Sequence, residues 1–184
     1  MSVVVPEYDA PRVWAIQQEL LAQAVALLGP PDPSWTICQP EYWYGKPVIQ
    51  HRDDNKTHAW AKLSRMAARS WPQLRFELAH ETVHLLNPVI GATTWLEEGI
   101  AVVFQIHIQS PNDIKLIRPR FGGDYHTAWQ LVEQLGESPF VFGKVIRAKY
   151  GSLERRSVDE ILSIRPMLDL AIARKLAQEC KPIE

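Results

Sequence analysis

Polar and apolar residues alternate along this chain with two different periods, and the change from one to the other divides it into a strand-rich and a helix-rich part. Asp9, Ala10 and Pro11 form a helix start, and apolar residues at helical spacing (Trp14, Leu20, Val25, Leu28) carry the segment to a stop at Gly29-Pro30-Pro31. From Trp35 to about Ser64 the pattern changes to short β-branched and aromatic runs, broken by Pro40, Gly45, Pro47 and the polar cluster Asp53 to Lys56. A small antiparallel or mixed sheet is expected there, its last strand covering Thr57 to Leu63. Ser70-Trp71-Pro72 then opens a helix ended by Asn87-Pro88, and a further helix is expected from Thr94 to about Gln109. Pro111 to Gly123 has no clear period and reads as a loop or lid. Helices follow at Asp124 to Leu135, Pro139 to Tyr150 and Ser157 to Gln178, the last broken at Pro166.

With no repeat or linker in 184 residues, one domain spanning 1–184 is expected, of α+β class. The 20 Lys and Arg nearly balance 21 Asp and Glu, so no broad cationic surface draws in nucleic acid or an anionic membrane. No window reaches the length of a membrane span, and residues Met1 to Ala10 lack the basic leader and apolar core of a secretion signal. A cytoplasmic location is the default expectation, and Cys38 and Cys180 fit two reduced thiols there.

Chemistry concentrates on the helix after Ser70. His80 and His84 are four residues apart, so their imidazoles lie one turn apart on one face and can converge on a tetrahedral cation, with Glu81 beside it. On the helical wheel Glu77, His80, Glu81 and His84 share one narrow sector, while Leu74, Phe76, Leu78, Val83, Leu85 and Leu86 dominate the rest. Buried polar groups of this kind are costly unless paired or metal-bound. Catalytic zinc usually takes three protein ligands and leaves a position for water. Glu98 is the expected third ligand, because it shares a polar seam with Gln105 and Gln109 on an otherwise apolar helix. Glu97 points elsewhere on that wheel and reads as an acid favoured by the helix N-terminal dipole. Gly99 is expected to let the two ligand-bearing helices approach closely.

The sequence His80-Glu81-Thr82-Val83-His84 followed by Trp95-Leu96-Glu97-Glu98-Gly99-Ile100-Ala101 resembles the gluzincin zinc metallopeptidases, the thermolysin-like and aminopeptidase-like enzymes of the zincin fold. The resemblance covers His80 to Ala101, with a looser echo at Tyr125. It implies a zincin-like domain with the sheet first and helices after, zinc held by His80, His84 and Glu98, and hydrolysis of a peptide or protein substrate. Glu98 follows His84 by 14 positions, a short spacing similar to that of compact bacterial members. Many relatives carry an acid one turn after the third ligand, where this chain has Val102, so Glu77, Asn87 or backbone carbonyls are expected to orient the histidines instead. Zinc lowers the pKa of a bound water from 15.7 to about 7, and Glu81 is placed to accept its proton. Tyr125 and His126, at a helix start after Gly122-Gly123, are candidates for stabilising the oxyanion, and Tyr150 is a weaker one. If the strand at Thr57 to Leu63 lies on a free edge, as zincin sheets imply, a peptide can pair with it beside the metal.

The remaining histidines carry less: His107 is expected in the core, and His51 and His58 flank the hairpin turn. The tryptophans between Trp35 and Trp60 are expected to fill the sheet core. Against the enzyme stands a binding or regulatory module with a structural or degenerate zinc site.

Overall fold

A computed structural model describes residues 4–52, 57–89, 91–109, 123–136 and 138–180. The chain is α+β, with the strands in its first half and most helices after them. Helix α1 (Ala10–Leu28) starts where Asp9 accepts a hydrogen bond from the Arg12 amide, with Pro11 in the first turn, and it stops at Gly29. Four short strands follow: β1 (Thr36–Ile37), β2 (Glu41–Trp43), β3 (Val48–His51) and β4 (His58–Ser64).

Of the two forms expected, the sheet is the mixed one, because β1 and β2 run parallel to β4 and only β3 is antiparallel to it. The pairing corrects the position of the last strand, because β4 is central. Lys62 pairs with both Glu41 and Val48, and Ala59 with both Ile37 and His51, so β1 and β2 lie end to end on one side and β3 lies on the other. The edges are therefore β3 on one side and β1 with β2 on the other, not the strand at Thr57 to Leu63. Alternation along a strand reveals its two faces but says nothing about which partners flank it.

On β4 the inward residues are Ala59, Ala61 and Leu63, all fully buried. Trp35 is half-buried and packs against that core, but Trp43 and Trp60 do not fill it. Trp60 lies on the opposite face with its Nε1 donating to Glu41 Oε2 at 3.0 Å, and Trp43 is exposed beneath the Lys62 ammonium. Small inward side chains let helix α2 (Trp71–Leu85) lie against the sheet through Leu74 and Leu78.

Helix α3 (Trp95–Ile108) packs on α2, and α4 (Asp124–Glu133) packs on α3. Helices α5 (Pro139–Tyr150), α6 (Val158–Ile164) and α7 (Leu170–Ala177) complete the second half, the last two separated at Pro166 as expected. Arg147 of α5 is buried and ties three segments together: its guanidinium donates to the carbonyls of Leu28, Gly29 and Pro30 at 2.7–2.8 Å and to Asn87 Oδ1 at 2.9 Å. That fork fixes the C-terminal end of α2 relative to α1. The expected lid falls on residues 111–122, which lie outside the described residues. No helix among the described residues is long and apolar enough to cross a membrane.

Candidate metal centre

Ser70 caps α2 by accepting from the Gln73 amide, and Pro72 follows in the first turn. The helix then runs unbroken through His80, Glu81 and His84, all buried. Thr94 caps α3 in the same way, accepting from the Glu97 amide, and this sets Glu98 in the first turn of a helix packed across α2.

The two helices bring three ligand atoms together. His80 Nε2 and His84 Nε2 are 3.2 Å apart, Glu98 Oε2 is 3.2 Å from His80 Nε2, and Glu98 Oε1 is 3.5 Å from His84 Nε2. A tetrahedral ion with bonds of about 2.0–2.1 Å separates its donors by about 3.3–3.4 Å, so the group fits a small divalent cation. His80, His84 and Glu98 could therefore hold a metal ion. Thr93 fixes the carboxylate from behind, its hydroxyl donating to Glu98 Oε1 at 2.5 Å.

Electrostatics binds the same three groups. Burial alone would lower the pKa of His84, but the carboxylates of Glu98, Glu97 and Glu81 outweigh it and push it up to about 10. Burial would raise Glu98, yet His84, His80 and the Thr93 bond bring it down to about 2. Charge pairing between the His84 imidazolium and the carboxylates holds the cluster together, and a divalent ion bound by the same three side chains would take the place of the protons.

Glu97 corrects the reading of it as a dipole acid. Its side chain is 3% exposed and accepts from His84 Nδ1 at 2.8 Å, which leaves Nε2 of His84 facing the other ligands. The wheel missed this because it ranks directions around one helix, whereas the bond runs between two. Glu77 and Asn87 do not orient the histidines. Glu77 accepts from Ser64 N at 2.8 Å, from Ser64 Oγ at 2.6 Å and from Gln73 Nε2 at 2.8 Å, clamping the end of β4 onto α2. Asn87 accepts from Arg147. Nδ1 of His80 is buried with no hydrogen-bond partner among the described residues.

Glu81 is 4% exposed, and burial, with Glu98 and Glu77 after it, raises its carboxyl pKa against the opposing pull of His80 and His84. It lines a cleft of about 580 Å³ together with the three candidate ligands. β3 forms one wall through Val48 and Ile49, and Ala92, Thr93 and Cys180 stand on its other sides. Tyr125 closes part of the rim, its ring edge-on to His80 with centroids 5.3 Å apart. Burial, with Glu98 and Glu81 after it, pushes the Tyr125 hydroxyl above the ordinary tyrosine range, so it keeps its proton and remains a donor. His126 is not brought to the cleft: it is exposed, with its ring tilted against Trp129.

Gly99 does not face α2 as expected. A Cβ there would meet the Val132 side chain and sit 2.6 Å from the Ala128 carbonyl, so its missing side chain admits α4, the helix that carries Tyr125. His107 is exposed against the Phe140 ring rather than in the core. His51 caps the end of β3, with Nε2 2.9 Å from the Val89 carbonyl. Tyr150 points to Ser163 Oγ at 2.9 Å, and both cysteines are free. Compared with known proteins, the chain matches no family model, no curated protein and no solved structure.

Proposed function

We propose that this chain is a zinc-dependent peptidase of the zincin type, in which His80, His84 and Glu98 hold the ion and Glu81 moves the proton of the attacking water. The observation that carries this reading is the convergence of three ligand atoms from two helices, each within 3.5 Å of another, with Glu81 on the wall of the same cleft. A zinc ion held there would supply a Lewis acid and lower the pKa of a water from 15.7 to about 7.

Glu81 is suited to its part because a buried carboxylate with a raised pKa exchanges a proton more readily near neutrality than an exposed one. The proton it accepts passes to the leaving amine. Tyr125, kept protonated at the rim beside His80, is placed to donate to the oxygen that gains charge as the carbonyl is attacked. β3 supports a peptide substrate in particular. It is an edge strand and part of the cleft wall, so an extended chain laid along it can pair with its free backbone groups while a bond lies near Glu81.

Metal analysis and turnover together test this reading. Purified wild-type chain is expected to carry close to one zinc per molecule, His80→Ala to carry none, and Glu81→Gln to keep the metal and fold but lose cleavage of a peptide mixture. Wild-type chain that takes up no divalent metal overturns the proposal. Undiminished cleavage by Glu81→Gln overturns it too, whereas a partner-binding activity that survives this change favours a binding module with a structural ion.

A further inference from the structure

A second, smaller cavity of about 140 Å³ lies beside the candidate metal centre and shares Pro47, His80, Glu81 and Tyr125 with the main cleft. The walls that belong to it alone are Gln73, Phe76, Glu77 and Gln105. Three of these four are polar: Gln73 and Glu77 belong to α2 and Gln105 to α3. Neither the metal chemistry nor the proton transfer uses them.

The hydrogen bonds fix what the walls can offer. Gln105 is 6% exposed and its Nε2 donates to the Phe76 carbonyl at 2.9 Å, which leaves its Oε1 as the atom available to a ligand. Glu77 is 5% exposed and held by three donors, so its carboxylate is rigid and its position set by β4. Phe76 supplies an apolar side. No lysine or arginine lines the cavity among the described residues. If a divalent ion occupies the centre, Glu98 and Glu81 offset its two charges and Glu77 remains as surplus negative charge.

We infer that this cavity is a specificity subsite that takes a lysine or arginine side chain of the peptide substrate, its aliphatic stem along Phe76 and its cationic head toward Gln105 and Glu77. The chemistry matches from both ends: a long side chain with an apolar body and a charged donor tip meets an apolar wall that leads to acceptors. A purely aliphatic side chain would leave the Gln105 carbonyl desolvated without a donor and the Glu77 charge without a counter-ion. This inference rests on the peptidase reading for its substrate, but the subsite can be read without turnover.

The test uses two sets of short alanine-rich peptides that differ only in carrying lysine or norleucine at one position, moved along the peptide one residue at a time. Zinc-loaded wild-type chain is expected to cleave the lysine peptide with a kcat/KM at least about tenfold higher at one position relative to the scissile bond. Gln105→Leu and Glu77→Gln are each expected to reduce that lysine-to-norleucine ratio. In parallel, calorimetry on zinc-loaded Glu81→Gln is expected to give the same preference in Kd. Cleavage with a ratio near one, or a ratio that Gln105→Leu leaves unmoved, overturns the subsite and leaves the peptidase reading standing. Lysine-selective binding with no cleavage by wild type supports the subsite and overturns the peptidase reading. Absence of both binding and cleavage overturns both.

Discussion

Glu97 Oε1 lies 2.8 Å from Nδ1 of His84, and this bond between neighbouring helices decides which nitrogen of that imidazole faces His80 and Glu98 in the candidate metal site. A neutral histidine that donates from Nδ1 presents a lone pair at Nε2, here the atom 3.2 Å from His80 Nε2, so the bond to Glu97 selects the tautomer that could ligate an ion. His80 has no such support on its own Nδ1 among the described residues, so His84 is the candidate ligand whose orientation is most firmly set.

The consequence is measurable as metal affinity. Loss of a carboxylate behind a ligating histidine costs about 10–100-fold in binding. Glu97→Ala is expected to weaken zinc binding by that factor in competition with a chromophoric chelator. Glu97→Gln, which keeps an acceptor oxygen, is expected to lose less. Equal affinities for wild type and Glu97→Ala would show that His84 does not need the bond.

How far the sequence reveals this site depends on whether the relevant geometry lies within one helix or between two. His80, Glu81 and His84 are legible because 3.6 residues per turn places them together whatever surrounds them. Glu98 is legible as a polar position on a buried helix. Glu97 is not, since its role depends on how α3 crosses α2. Helix boundaries are read well from Ser70-Trp71-Pro72, Thr94 and the pairs of Gly and Pro, each a local signal. The sheet shows the limit from the other side: the period of two finds β4 and its buried face, but strand order depends on the turn at Gly45 to Pro47, which carries the chain from one side of β4 to the other. Likewise a glycine on a helix signals close approach without naming the neighbour, and at Gly99 the neighbour is α4.

That close approach gives a second prediction. The Cβ of Gly99→Ala would fall 2.6 Å from the Ala128 carbonyl, closer than real Cβ contacts occur, and backbone must move to admit it. Overpacking of this kind costs about 1–3 kcal/mol, to be seen as a lower urea midpoint with an unchanged slope. Because α4 bears Tyr125, the same change is expected to shift the ring from His80 and lower peptide turnover more than zinc content. Stability equal to wild type would mean that α3 and α4 tolerate separation.

Tyr125→Phe isolates the hydroxyl. It keeps the edge-on ring against His80 and removes only the donor, so zinc content and thermal stability are expected to stay close to wild type. Removal of an oxyanion donor costs about 10²–10³ in kcat, with KM little altered. An unchanged kcat would take Tyr125 out of the reaction and leave it as a wall of the cleft.

Glu154 provides the pH prediction. It is 3% exposed, and burial, reinforced by Glu97, pushes its carboxyl up to about 7. Below an ordinary glutamate value of 4.5 the group is protonated whether the chain is folded or not, and it makes no pH-dependent contribution. Between there and about pH 7 the unfolded chain releases the proton while the folded chain retains it, so each step up in pH favours unfolding. Above pH 7 both states are ionised and the loss levels off, at no more than about 3 kcal/mol. Glu154→Gln has no proton to release, so its stability relative to wild type is expected to improve steadily across that window in urea titrations and to be flat on either side. A stability difference that does not change with pH would mean that Glu154 is ionised in the folded chain, and that Glu97 holds His84 without a protonated neighbour behind it.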